Sequence, residues 1–99
     1  MILFSQPKTK EKVVVVEELI EEVMSGSSLV VYNDDVNTFE WVIESLMKVC
    51  QHTFQQAEQS AIYIHFKGKY AVKHGSYSKL EPMKDALLDR GITAEIQTA

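Results

Sequence analysis

Apolar residues recur along this chain with two different periods, and each period predicts its own kind of element. Three short runs predict strands, at 29–32, 70–74 and 93–97, and the first of them is rich in β-branched residues. Three longer stretches carry apolar residues at helical spacing and predict helices, at 39–50, 54–66 and 78–89. After an amino-terminal arm the order is therefore β-α-α-β-α-β. This order predicts an α+β domain with three helices on one face of a small sheet.

Each predicted helix begins with a capping pair, a residue able to cap the first turn followed three positions later by Glu or Gln. The pairs are Asn37 with Glu40, Thr53 with Gln56, and Ser78 with Glu81. The third pair places Pro82 in the first turn, where a helix tolerates proline best. Gly68 follows the second helix and is predicted to end it in a left-handed conformation.

The second helix competes with a strand in the sequence pattern. Ile62 and Ile64 are β-branched and favour a strand. The cap and the i, i+4, i+8 spacing of Ala57, Ala61 and His65 favour one continuous helix, which is our prediction.

Residues 1–27 differ from the rest of the chain. Lys and Glu dominate there, and only four apolar residues fall at helical spacing, which predicts either a short helix or an arm that orders on a partner. Residues 25–28 read Ser-Gly-Ser-Ser, a composition typical of a flexible hinge. We therefore predict an arm at 1–27 and a core domain at 28–99.

Length, charge and cysteine content narrow the functional classes. A chain of 99 residues forms one domain with a thin core, so any ligand has to bind in a surface pocket and no cofactor is expected. The net charge of −4 argues against nucleic acid and against an anionic membrane as partners. Cys50 is the single cysteine and lies on an apolar helical pattern, which predicts a buried thiol and no intramolecular disulfide. Without a charged segment before the first apolar residues, no signal peptide is expected, and the cytoplasm is the expected compartment.

Asn33, Asp34 and Asp35 lie where the first predicted strand meets the first predicted helix. Asn and Asp side chains bond to nearby backbone amides in turns, so turn support is the first interpretation. A calcium loop is not predicted, because no ladder of acidic positions with a closing Glu follows. Neighbouring carboxylates on one turn rarely converge on a substrate, so the sequence predicts a binding protein and not an enzyme.

The three histidines have no spacing that suits a metal, and no metal site is predicted. His52 and His74 are predicted to be exposed. His65 ends the apolar run of the second helix, and by itself it is more typical of a boundary residue than of a ligand contact.

These pieces together resemble the ClpS family of adaptors. The residues that carry the resemblance are 31–35, 39–43, Ala57 and 65–69, which include the Asn-Asp-Asp turn and the His-aromatic-x-Gly-Lys motif in one register. The resemblance implies a three-stranded antiparallel sheet with three helices on one face, similar to the carboxy-terminal domain of the ribosomal stalk protein. It also implies a monomeric adaptor that binds the first residue of other proteins, Leu, Phe, Tyr or Trp, and delivers them to a Clp-type AAA+ unfoldase.

The resemblance assigns roles to individual side chains. Three acceptors are expected to hold the free amino group, namely Asn33, Asp35 and His65, because an α-ammonium has three hydrogens to donate. Three residues are expected to support the turn: Asp34, Asn37 and Thr38. Six residues are expected to form the apolar pocket: Phe39, Val42, Leu46, Ala61, Ile62 and Ile64.

The chain departs from the family pattern at several of these positions. Thr38 stands where the family usually has Pro, and Phe39 and Ala61 stand where Met is common. Ala61 predicts room for a β-branched first residue such as Ile. In the segment 78–83, which faces the unfoldase in the family, only Glu81 matches. The alternative interpretation is an interaction domain of the same fold that docks a helix of a ribosome or translation factor.

Overall fold

The computed structural model describes residues 26–98, so most of the predicted arm lies outside the described residues. Six elements follow in the predicted order β-α-α-β-α-β. They are β1 (Ser27–Tyr32), α1 (Phe39–Cys50), α2 (Phe54–Lys67), β2 (Lys69–Gly75), α3 (Tyr77–Asp89) and β3 (Ala94–Thr98). Because β1 begins at Ser27, the last two residues of the predicted hinge belong to the sheet.

The sheet is antiparallel, with β1 in the centre and β2 and β3 at its edges. Leu29 pairs with Lys73 on one side and with Ile96 on the other. The next residue, Val30, pairs with Ala71, so Val72 is an extra residue that forms a bulge in β2. The predicted α+β fold with an antiparallel sheet is therefore confirmed.

All three helices cover the same face of the sheet. Leu29 and Val31 alternate along β1 and are both fully buried. They share one core with residues from every helix, namely Ile43, Leu46, Cys50, Ala57, Ala61, Ile64, Leu80 and Leu87. Cys50 is buried in this core as predicted, and burial raises the pKa of its thiol to about 11.

α2 confirms the prediction of a helix in the ambiguous segment. The hydroxyl of Thr53 accepts from the backbone N–H of Gln56, and the Gln56 side chain accepts from the N–H of Thr53. Gly68 ends the helix with φ +87°, the left-handed conformation that glycine adopts without strain. Local capping at both ends outweighs the strand preference of the β-branched residues between them.

The other two predicted caps are wrong. Thr38, not Asn37, caps α1, because its hydroxyl accepts from the N–H of Trp41. Ser76, not Ser78, caps α3, so that helix begins at Tyr77, directly after β2. Pro82 consequently lies inside the helix and not in its first turn.

His52 is half-buried, which contradicts the predicted exposure, whereas His74 is exposed. The Nε2 atom of His52 lies 2.9 Å from the carbonyl oxygen of Val72. Since a carbonyl can only accept, Nε2 carries the proton and donates to the bulge of β2. Burial lowers the pKa of His52 more than this hydrogen bond raises it.

Within residues 26–98 no helix is long and apolar enough to cross a membrane. The same residues contain no cluster of His, Cys, Asp and Glu side chains that could hold a metal ion.

Candidate functional site

A cavity of about 470 Å³ opens between the loop after β1 and the helices α1 and α2. Nine residues line it: Asn33, Asp34, Asp35, Asn37, Phe39, Val42, Ala61, Ile64 and His65. The three predicted acceptors and four of the six predicted pocket residues are among them. The structure therefore brings together most of the site that the sequence proposed.

Asp34 organises the loop on one side of the cavity. One carboxylate oxygen accepts from the backbone N–H groups of Val36 (2.9 Å) and Asn37 (2.8 Å). The other oxygen accepts from the side-chain amide of Asn37, also at 2.8 Å. These bonds favour the charged form and lower the pKa of Asp34, with the backbone N–H of Asn37 contributing most. Asp34 thus supports the turn and keeps its negative charge at the cavity.

Gly68 connects the start of this loop to the end of α2. The backbone N–H of Asn33 donates to the Gly68 carbonyl at 2.8 Å, and the Gly68 N–H donates to the carbonyl of Ile64 at 3.0 Å. His65 lies in the last turn of α2, three residues before Gly68. The side chains of Asn33 and His65 therefore lie in the same cavity on backbones that are hydrogen-bonded to each other through Gly68.

The apolar wall of the cavity comes from both helices. Phe39 is the first residue of α1 and Val42 follows one turn later on the same face. Ala61 and Ile64 come from α2, and each is only 3% exposed. Phe39 is 39% exposed and forms the open rim. The Thr38 cap fixes where α1 begins and hence the position of Phe39.

Two predicted pocket residues lie elsewhere. Leu46 is fully buried in the core and does not line the cavity, because it is two helical turns beyond Phe39. Ile62 is 41% exposed and lies outside the cavity, since it is rotated by about 100° from Ala61 around α2. Their inclusion in the pocket was therefore wrong. Thr38 caps the helix without lining the cavity, and Glu81 is an exposed residue of α3.

Asn37 has a role that sequence analysis missed. Besides its bond to Asp34, its side-chain amide donates to the carbonyl of Gly91 at 2.8 Å. Gly91 follows α3 and is 54 residues away in the chain. No local pattern signals this contact, since only the fold brings the two residues together.

A second concavity of about 260 Å³ lies between α2 and β2. Its lining residues are His52, Gln56, Gln59, Ser60, Tyr70, Ala71, Val72 and His74. Six of these eight residues have polar side chains, and none of the eight is a residue that the sequence proposed for a site.

The larger cavity suits a cationic group that carries an apolar side chain. Its polar lining has two carboxylates, two side-chain amides and an imidazole, all of which can accept hydrogen bonds. None of its lining residues is Lys or Arg. The apolar wall next to this polar lining can bury a side chain of one residue.

Comparisons with known proteins agree with the fold and with the resemblance. The family model of ClpS, the ATP-dependent Clp protease adaptor protein, matches residues 25–95. A similar solved structure is that of Agrobacterium tumefaciens ClpS2 bound to L-phenylalaninamide, with a TM-score of 0.63 at 16% sequence identity. The match covers 74% of this chain and 95% of that chain, and at this identity it establishes a shared fold. None of the curated proteins matches the chain.

Proposed function

This chain belongs to the ClpS family of protease adaptors, and from that membership we propose that it binds the first residue of substrate proteins and delivers them to a Clp-type AAA+ unfoldase. The bound residue is Leu, Phe, Tyr or Trp, with Ile as a further candidate. The protein is an adaptor and not an enzyme in this proposal.

The observation that carries the proposal is the convergence of acceptors beside an apolar wall. An α-ammonium donates three hydrogen bonds, and Asn33, Asp35 and His65 offer three acceptors on the same cavity. The side chain of the first residue then packs against Phe39 and Ile64. Burial of a Leu or aromatic side chain contributes ~1.5–3 kcal/mol. A cavity of about 470 Å³ has the volume needed for one amino-acid residue.

The test compares two peptides that differ only at the amino group. A peptide that begins with Leu should bind, and its acetylated twin should not, because acetylation removes the positive charge and fills the space between the acceptors. Isothermal titration calorimetry measures both affinities. Equal affinities would contradict the adaptor function and would favour docking of a partner through another surface.

Delivery is proposed to depend on the arm, residues 1–25, together with a surface that includes Glu81 on α3. The arm precedes β1 and contributes no residue to the cavity in this proposal. Deletion of residues 1–25 should leave peptide affinity unchanged and abolish unfoldase-dependent degradation of a substrate. A loss of peptide affinity in the truncated protein would show instead that the arm belongs to the binding site.

A further inference from the structure

The loop that carries two of the three acceptors is held at both ends by residues from distant parts of the chain. At its start, the N–H of Asn33 donates to Gly68, and the N–H of Tyr32 donates to the carbonyl of Thr93 at 3.0 Å. At its end, the side chain of Asn37 donates to Gly91. Between these points Asp35 and Val36 are exposed, and Val36 is 87% exposed. Packing therefore does little to fix the middle of the loop.

Asn37 uses both hydrogens of its side-chain amide. One is donated to Asp34 and the other to Gly91, each at 2.8 Å. Asp34 in turn accepts hydrogen bonds from the N–H groups of Val36 and Asn37. The bonds of Asp34 and Asn37 therefore link the whole loop to Gly91. The orientation of Asp35, which lies between Asp34 and Val36, depends on this network.

Gly91 is itself a fixed point. Its N–H donates to the carbonyl of Leu88 at 2.9 Å, and the next residue, Ile92, donates to Leu87 at 3.0 Å and is 1% exposed. The φ angle of +82° at Gly91 is one that other residues rarely adopt and that glycine adopts without strain. Trp41 of α1 also bonds to this turn, since its indole N–H donates to the carbonyl of Arg90 at 3.0 Å.

We infer that Asn37 is a positioning residue for amino-terminal recognition, which it serves by anchoring the acceptor loop to the turn at Gly91. The inference rests on the proposed function. Asn37 also lines the cavity, but its positioning role is exerted through Asp34 and Asp35. Its amide is required because the two groups it bridges, a carboxylate and a carbonyl, are both acceptors.

Asn37→Asp is the most direct variant, because it keeps the size of the side chain and replaces the donor with a third acceptor. The carboxylate would face that of Asp34 and the Gly91 carbonyl, and the loop would detach. We expect the affinity for a peptide with a free Leu terminus to fall about tenfold or more, since the partner acceptors lose their donor. Asn37→Ala removes both donors without adding charge and serves as a second variant if the first does not fold.

Trp41→Phe is the matched control. It also removes one hydrogen bond to the turn at 90–91, but from α1 and not from the loop. The backbone bonds from Gly91 to Leu88 and from Ile92 to Leu87 still hold the turn in this variant. It should therefore lower the melting temperature and leave peptide affinity within about twofold of the parent protein. If Trp41→Phe weakens peptide binding as much as Asn37→Asp, general stability explains both effects and the inference is overturned.

Amide hydrogen exchange in the peptide-free protein gives a readout that does not depend on the proposed function. In the Asn37 variants the N–H groups of Val36 and residue 37 should exchange at least about tenfold faster relative to core amides, and in Trp41→Phe they should not. Unchanged exchange at these amides overturns the inference even if the parent protein binds no peptide. Peptide binding by the parent and the Asn37 variants alike would overturn it while leaving the adaptor function intact.

Discussion

Two histidines of this small domain, His65 and His52, line different concave surfaces and have different surroundings. His65 lies in the last turn of α2 and lines the larger cavity as an exposed residue. His52 lies in the connection between α1 and α2, is half-buried, and donates to the carbonyl of Val72. Each of the two lines a concave surface of the domain. His65 is exposed beside several other acceptors, whereas Nε2 of His52 is already bonded to the backbone of Val72.

The difference shows that a histidine in a groove is not by itself a binding group. The hydrogen bond from His52 to Val72 holds the helical connection against β2, and burial keeps the imidazole neutral by lowering its pKa. This ring is structural. The larger cavity differs because several acceptors from separate elements, Asn33, Asp35 and His65, face the same space.

The largest expected effect is that alanine variants of the two histidines change different quantities, peptide affinity for His65 and folding stability for His52. His65→Ala should lower the affinity for a peptide with a free Leu terminus by ~1.5–3 kcal/mol, the range for a hydrogen bond to a charged group, with little change in stability. His52→Ala should do the reverse, with a loss of ~1–3 kcal/mol in the free energy of unfolding because the Val72 carbonyl loses its donor. Peptide titrations and urea unfolding of both variants measure the four quantities. Similar losses of peptide affinity in the two variants would contradict the different roles given to the two histidines.

A smaller effect concerns which first residues enter the larger cavity. Ala61 leaves space beside His65, one helical turn away, whereas Phe39 narrows the rim from α1. A peptide that begins with Ile should therefore bind within ~1–2 kcal/mol of one that begins with Leu, the scale of a misplaced methylene in an apolar pocket. Ala61→Met should reject Ile and spare Leu and Phe, because the longer side chain would collide with a branched β-carbon.

Calorimetry on the three peptides with both proteins decides this prediction. The Phe peptide is the control for general damage to the pocket. If the parent protein rejects Ile as strongly as Ala61→Met does, then Phe39 or the backbone sets the limit on the first residue.

The smallest effect is the pH dependence of stability contributed by His52. Its pKa is lower in the folded protein than the ordinary value of 6.5, so the unfolded chain binds a proton more readily. The contribution of the neutral ring to stability is present above pH 6.5 and is lost as the pH falls towards the lowered pKa. His52→Gln keeps a donor for Val72 without a titrating group. Between about pH 8 and about pH 5 the parent protein should lose more stability than this variant, measured by urea unfolding. Parallel losses would show that His52 does not titrate differently on folding.

Local chemistry made much of the fold predictable. The Thr53 and Gln56 pair and Gly68 define both ends of α2 from neighbouring residues alone, and the helix follows although Ile62 and Ile64 favour a strand. At the start of α1, two adjacent residues, Asn37 and Thr38, could both cap. Thr38 is used because the amide of Asn37 bonds to Gly91, 54 residues away, and short-range patterns contain no information about such a contact.

Part of the candidate site was also predictable from the sequence, and the predictions that were wrong concern residues whose surroundings only the fold determines. The motif predicts that Asn33, Asp35 and His65 share one cavity. They do so because hydrogen bonds through Gly68 join the loop to the end of α2. The apolar character of Leu46 and Ile62 predicts pocket residues, but it does not distinguish the cavity from the core, where Leu46 lies, or from the solvent-exposed surface, where Ile62 lies. His52 bonds to a bulge at Val72 that forms where β2 pairs with β1. No turn residue or glycine at this position of the sequence indicates the bulge.

The bulge at Val72 also affects whether the edge of the sheet can pair with a strand of another molecule. β2 lies at a margin of the sheet, where unpaired backbone groups invite a strand from another molecule. At this margin Val72 interrupts the regular spacing that a foreign strand needs, and its carbonyl is already occupied by the imidazole of His52. The imidazole of His52 therefore covers one backbone acceptor at this edge, and a chain without it would expose that carbonyl to neighbouring molecules.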